Sequence, residues 1–165
     1  MRKLTPIPKA RALDANSLVG WWRVRHPLRV FLNFWVIEAG SYSPSLRLKN
    51  VLYRAIGVKI GHGARIAPGV VLDFFWPELI EIGQGALIGY GATVLAHEFL
   101  ADECRTGPVR IGKRSLIGAN STVLAGVSVG EGAQVSAMSL VNSDIPAHCL
   151  AGGVPAKVIR KLKRN

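Results

Sequence analysis

Cysteine is nearly absent. Cys104 and Cys149 are the two in 165 residues, and no CxxC or Cys/His cluster accompanies them. That excludes a disulfide framework and a structural zinc site, and it makes a reducing cytoplasm the expected compartment. Long apolar runs are lacking too. The N-terminal region offers only Val30 to Ile37, interrupted by Asn33, against the roughly 20 residues needed to span a bilayer. That run also lies too deep in the chain, and lacks the small-residue cleavage site, for a signal peptide. Nucleotide-binding signatures are missing: there is no GxxxxGK[ST], and the GxGxxG-like spacing at Gly57 and Gly61 has no Rossmann context. Acids are scarce, 10 against 21 Lys and Arg, for a net charge of +11.

What the chain does have is a six-residue period. Ile111, Ile117, Val123, Val129, Val135 and Val141 recur at every sixth position. Gly follows at 112, 118 and 130, and a small residue sits four places on at Ser115, Ser121, Ala133 and Ser139. Neither the period of a strand nor that of a helix gives this spacing. A hexapeptide repeat predicts a mainly all-β parallel β-helix of short strands and tight turns, with Gly admitting turn conformations that Cβ-bearing residues resist.

The register starts at Ile60 and continues through Ile66 and Leu72. Four extra residues precede Ile82, Ile88 and Val94, and eleven more precede Ile111. Twelve units, or four coils of three, result. Units starting at Leu72, Val94, Val123 and Val141 stack on one face, and both insertions leave the coil from it. The same face has Asp73, Leu95, Leu124 and Asn142 where Gly is otherwise usual. A face that breaks the rule and extrudes loops is where function is expected.

The chain divides into a basic aromatic helical arm (1–56), the β-helix (57–146) with an excursion loop at 96–109, and a C-terminal basic segment (147–165), read as a short helix or tail. Charge follows this division. Residues 1–59 hold eleven Lys/Arg against two acids, 60–156 five against eight, and 157–165 five against none. Basic ends around a mildly acidic body fit two anionic partners, or one partner and a solubilising tail, better than a continuous nucleic-acid groove, so no nucleic-acid partner is expected. Residues 1–16 read as a loosely ordered tail. Ser17 is placed as the cap of a helix through Trp21, Trp22 and Arg25, and Leu28 to Ala39 as a second helix stopped by Gly40. A third helix follows, with Ser43 as cap, Pro44 in its first turn, and Leu46, Val51, Leu52 and Ile56 as its apolar positions. Trp21, Trp22, Phe31, Phe34 and Trp35 lie among Arg23, Arg25 and Arg29. They suit either a helix lying on an anionic membrane surface or aromatics packed on the repeat or a neighbouring subunit.

His97 opens the long loop, HEFLADECRTGPVR. An imidazole there can take a proton from an acceptor hydroxyl as it attacks a carbonyl. Glu98, or a backbone carbonyl, is a candidate to hold the second ring nitrogen, and Glu98 joins Asp73 as a candidate on the acceptor side. Cys104 in the same loop is a weaker alternative, as an acyl-carrying nucleophile. No metal site is expected, because only His62 and His97 fall in the repeat body and they occupy different faces. Beyond the last coil, Lys157, Arg160, Lys161, Lys163 and Arg164 are either a solvated tail or a clamp for cofactor phosphates. Lys157 and Arg160, following the Gly-Gly-Val-Pro turn, are the specific candidates.

IGKRSLIGANSTVLAGVSVG, the ending VNSDIPAHCLAGGVPAKVIRKL and His97 at the head of a loop together resemble the maltose and galactoside O-acetyltransferase group of left-handed β-helix acyltransferases, over roughly residues 57–162. The leader, with SLRLKNVLYRAIGVKIG, looks more like that of acetyltransferases found near cell-envelope polysaccharide genes. The resemblance implies a homotrimer with active sites between subunits, and acetyl-CoA as donor. It implies His97 as general base, Ala119 offering a backbone N–H to the thioester or its oxyanion, and Ala137 holding the pantetheine. It puts Asn142 and Ser143 near the cofactor, where relatives carry Thr-Lys, and Lys157 and Arg160 at its nucleotide end. The usual Pro after the loop His is absent here, and the sugar-binding leader is replaced, so the departures fall on the acceptor side. The expected activity is O-acetylation of a sugar or glycan-type hydroxyl by direct attack, in the cytoplasm or at the membrane periphery. The alternative is a non-catalytic trimeric β-helix serving assembly or membrane docking.

Overall fold

The computed structural model describes residues 2–8 and 17–163. Part of the expected N-terminal tail, 9–16, and Arg164 of the basic ending lie outside the described residues. β1 (Thr5–Ile7) is followed by a 3₁₀ turn at Trp21–Arg23, α1 (Pro27–Tyr42) and α2 (Leu46–Ala55). The first coil is β2 (Lys59–Ile60), β3 (Arg65–Ile66) and β4 (Val71–Leu72), and the second is β5 (Ile80–Ile82), β6 (Leu87–Ile88) and β7 (Thr93–Val94). β8 (His97–Phe99) and β9 (Cys104–Thr106) form an antiparallel hairpin outside the coil. The third coil is β10 (Val109–Ile111), β11 (Leu116–Ile117) and β12 (Thr122–Val123). The fourth is β13 (Ser128–Val129), β14 (Gln134–Val135) and β15 (Leu140–Val141).

These strands stack as three parallel sheets. One contains β2, β5, β10 and β13, the second β3, β6, β11 and β14, and the third β4, β7, β12 and β15. The third is the face the sequence singled out, and both excursions leave from it. The repeated aliphatics fill the interior: Ile66, Leu72, Ile88, Val94, Ile117, Val123, Val135 and Val141 have no exposed surface. The stack also runs past the four coils expected. Ile145 bridges to Val129, and β16 (Cys149–Gly153) pairs parallel with β14, adding two further rungs.

The repeat glycines act by sterics rather than by unusual backbone angles. Gly118 and Gly130 are absent from the positive-φ positions. A Cβ on Gly118 would lie 2.3 Å from the Ala137 nitrogen, and one on Gly130 would lie 2.3 Å from the Ala147 nitrogen. Gly is required there because the next coil passes where a side chain would begin. The left-handed conformations fall two residues later, at Arg114, Asn120, Gly126, Gly132 and Met138. The small residues seal the turns, as where the buried Ser115 hydroxyl donates to the Gly112 carbonyl at 2.7 Å.

The arm departs from expectation at several points. Ser17 does not cap a helix; its side chain and backbone N–H both donate to the Leu100 carbonyl. α1 runs through Gly40 to Tyr42, since Gly40 is where the helices touch: a Cβ there would lie 2.5 Å from the Tyr53 ring. The cap of α2 is Ser45, accepting from the Leu48 N–H, and not Ser43. α2 buries Lys49, Asn50 and Tyr53, whereas Val51 faces solvent. Lys49 is fully buried, and its ammonium donates to the Ala67 and Ser41 carbonyls, so α2 closes the coil end with hydrogen bonds as well as apolar contact. β1 is no loose tail: it pairs antiparallel with β9 and extends the excursion hairpin to three strands.

The C-terminal segment is not helical. β17 (Ala156–Lys161) folds back antiparallel on β16. The sequence AKVIRK follows a tight turn and finds an open sheet edge, which an isolated basic helix would leave unpaired.

Candidate active site

Asp73 takes the place of a repeat Gly at the point where the first excursion leaves β4. It is 1% exposed and accepts four hydrogen bonds. The Phe75 and Trp76 N–H groups each donate at 2.9 Å to Oδ1, the Ala96 N–H donates at 2.7 Å to Oδ2, and the His97 ring nitrogen Nδ1 also contacts Oδ2. Burial raises its carboxyl pKa, but the His97 hydrogen bond and charge, with the Trp76 and Ala96 N–H groups, outweigh burial and hold it below the usual carboxylate value. Asp73 therefore remains an anion and acts as acceptor only. Nδ1 of His97 therefore carries a proton toward Asp73, and in the neutral form of the ring the lone pair is on Nε2.

Aromatic rings hold the imidazole. Phe75, Trp76 and Phe99 lie with centroids 4.9, 5.2 and 4.9 Å from that of His97. Phe75 and Trp76 come from the short excursion and Phe99 from the long one, so the two insertions converge on one side chain. The sequence singled out His97 and put Asp73 on the exceptional face, but offered Asp73 to the acceptor and Glu98, or a backbone carbonyl, to the ring. The structure gives the ring nitrogen to Asp73, while Glu98 pairs with Arg2. The signal that could have found the cage is Phe74-Phe75-Trp76, three aromatics in succession inside the short insertion.

Cys104 is fully buried beside this pair. Burial first, and the Asp73 charge second, push its thiol up to about 11. A buried, protonated thiol is a poor nucleophile.

The other expected residues lie elsewhere. Asn142 and Ser143 follow β15 and are exposed at the same edge of the prism as Asp73, two coils above Ala96, about 10 Å at the usual strand spacing. Ala119 and Ala137 lie on another edge, where the second face turns into the third. Met138 donates to the Ala119 carbonyl at 2.9 Å, so the two turns stack. Among the described residues, neither the Ala119 nor the Ala137 N–H has an acceptor. The terminal hairpin sits on this edge, with the Gly153 N–H donating to the Ser139 hydroxyl at 3.1 Å. Lys157 and Arg160 are three apart, which would put them on opposite sides of a regular strand. The register shift at Leu150/Ala151 corrects this: Lys157 lies opposite Gly152 and Arg160 opposite Leu150, so both cations project from one side. Arg160 also lines a cavity of ≈ 590 Å³ with Arg114, His148 and Lys163. One chain thus holds the His97–Asp73 pair on one edge and the Ala119–Ala137–Lys157 column on another. Among the described residues, no three His, Cys, Asp or Glu side chains gather as a metal site would require.

Residues 108–138 match the family described as "Hexapeptide repeat of succinyl-transferase". "Putative acetyltransferase YvoF" of Bacillus subtilis is 43% identical over 146 residues, 88% of this chain and 85% of that protein. The chain belongs to the hexapeptide-repeat acetyltransferases. Among solved structures, the hexapeptide-repeat acetyltransferase VCA0836 of Vibrio cholerae in complex with acetyl-CoA aligns at a TM-score of 0.64 and 22% identity, over 83% of this chain and 88% of that one. A galactoside acetyltransferase in complex with coenzyme A aligns at a TM-score of 0.62 and 22% identity, over 83% and 82%. The likeness shows the fold, a left-handed parallel β-helix.

Proposed function

We propose that the protein transfers an acetyl group from acetyl-CoA to a hydroxyl of a sugar or glycan-type acceptor, with His97 as general base. The observation that carries this reading is the His97–Asp73 pair, one ring nitrogen tied to a buried carboxylate and the other left basic. Asp73 fixes the tautomer and stabilises the imidazolium that forms, a positioning role rather than direct contact with acceptor. Nε2 takes the acceptor's hydroxyl proton as its oxygen attacks the thioester carbonyl. The N–H of Ala119 stabilises the oxyanion of the tetrahedral intermediate. When that intermediate collapses, the C–S bond breaks, and the imidazolium returns the proton to the departing thiolate of CoA. No acyl-enzyme is involved, in keeping with the buried, protonated Cys104.

The donor groups fit an extended thiol cofactor with a phosphorylated end. Ala137 offers an N–H to the pantetheine amide, Asn142 and Ser143 line its path, and Lys157 and Arg160 present two cations to phosphate. Because His97 and Ala119 lie on different edges of one chain, a complete site needs the His97 edge of one copy against the Ala119 edge of the next. A closed ring of three prisms supplies three such sites. The cytoplasm, where acetyl-CoA is available, is the matching compartment.

The experiment is calorimetric titration with CoA, on the wild type and on the Lys157→Ala/Arg160→Ala variant. Saturable binding, weakened about 10-fold or more by loss of the two charge-assisted contacts, supports the reading. No saturable binding by the wild type would refute it and favour a non-catalytic assembly module.

A further inference from the structure

The outward face of α1 is apolar apart from the half-buried Glu38. Leu28 is 70% exposed, Phe31 62%, Leu32 57%, Trp35 56% and Tyr42 81%. Spaced at i, i+3, i+4, i+7 and i+14, they form one stripe, opposite the buried Val30, Asn33, Ile37, Gly40 and Ser41. On the neighbouring α2, Leu48 and Val51 are also exposed, at 51% and 59%. A surface of this extent is left open by soluble monomers only where something covers it. Three cations, Arg29, Arg47 and Arg54, are exposed at its margins, against one acid, the half-buried Glu38. Between the helices an apolar groove of ≈ 500 Å³, walled by Leu28, Leu32 and Ile56, has Arg29 and Arg54 at its rim.

The geometry points to an anionic lipid bilayer as the occupant of this face. Aromatic and aliphatic side chains flanked by arginines match the boundary between acyl chains and phosphate headgroups. A second copy of the chain matches less well, because it has little free negative charge to offer. Glu78, Glu81, Glu98, Glu103 and Glu131 all pair with arginines of their own chain, which leaves only Glu38 and the exposed Asp102 among the described glutamates and the loop acids. No described helix is long and apolar enough to cross a membrane, so the contact is peripheral.

The face is tied to the candidate active site by continuous ring contacts. From Phe31 the path runs to Trp35 (6.0 Å), Phe34 (5.4 Å), Phe74 (5.6 Å), Phe75 (5.0 Å) and His97 (4.9 Å). The buried Asn33 amide donates to the Phe74 carbonyl at 2.8 Å, and Arg25 and Arg29 both reach Glu78 of the same excursion. α1 and the loop bearing Asp73 are thus one packed unit, and the lipid-facing stripe belongs to the same body as the catalytic pair.

The test is co-flotation of the full chain with phosphatidylglycerol vesicles and with phosphatidylcholine vesicles, at low and high salt. The Phe31→Ser/Trp35→Ser variant is run alongside, and the mass of both proteins in solution is measured by light scattering. The wild type should float with the anionic vesicles and at least ~10-fold less with neutral ones or in high salt. The variant should stay behind with its mass unchanged. Wild-type protein that stays behind overturns the inference, and so does a variant that loses subunits, which would make the face a contact between copies. A readout needing no variant is quenching of wild-type tryptophan fluorescence by brominated phosphatidylglycerol; absence of quenching also overturns it. Vesicle binding is read without acetyl transfer, so either reading can fail while the other stands.

Discussion

Asp73 and His97 show how two residue types acquire roles through placement. With Oδ1 held by two backbone N–H groups and Oδ2 by a third, the carboxylate cannot turn away from the imidazole. Asp73→Asn keeps the shape but places an amide where Nδ1–H needs an acceptor, so kcat should fall about 100-fold or more while KM for acetyl-CoA changes little. A parallel rise in that KM would argue for a merely structural role. Stability should respond too. The folded-state carboxyl titrates below its unfolded value, so its contribution is complete above the ordinary carboxylate range and is lost as pH falls through the folded value. Urea unfolding should therefore show wild type and Asp73→Asn well separated near neutral pH and converging in acid; an unchanging gap would contradict the assignment. Cys104→Ala should retain a rate within a few-fold of wild type, since the thiol is protonated and enclosed. A loss comparable to that at His97 would reinstate an acyl-cysteine. His97 was legible because the repeat register isolates the loop it opens. Its carboxylate partner was not, because Asp73 and His97 are 24 positions apart and the sequence offered Glu98 next door.

Among the elements, the coils were the most legible part. Each six-residue unit states its own buried aliphatic, and stacking follows from the repeat. The physical reason for its glycines was less evident. Gly118→Ala keeps an allowed backbone but forces a Cβ to within 2.3 Å of the Ala137 nitrogen in the next coil. Overpacking against backbone should cost about 1–3 kcal/mol, read as a lower thermal midpoint. It should also weaken CoA binding, because Ala119 and Ala137 form the displaced turns; an unchanged midpoint would show that the coils can spread. The arm and the C-terminus were read less well, for a common reason. Gly40 looked like a helix stop and AKVIRK like a helix or tail, yet tertiary contacts decide both. Tyr53 packs over Gly40, and the open edge of β16 captures β17.

At the scale of the whole molecule, the proposed mechanism requires subunit association, because His97 and the Ala119–Ala137 column lie on different edges of one chain. At acetyl-CoA concentrations too low to saturate the Lys157→Ala/Arg160→Ala variant, its mixed assemblies with His97→Ala should exceed the mean activity of the two variants alone, since some interfaces would join an intact His97 edge to an intact donor edge. Recovery no greater than the mean of the two would place the whole site within one chain. The central claim is narrower, that His97 deprotonates an acceptor hydroxyl for direct attack on acetyl-CoA. It is tested most directly by acceptor-dependent release of CoA thiol, measured across a panel of hydroxyl compounds from simple sugars to lipid-linked glycans, for wild type and His97→Ala. The account predicts thiol release that requires one class of acceptor and falls about 10²–10⁴-fold in the variant. A variant that releases thiol at a near-normal rate would contradict it.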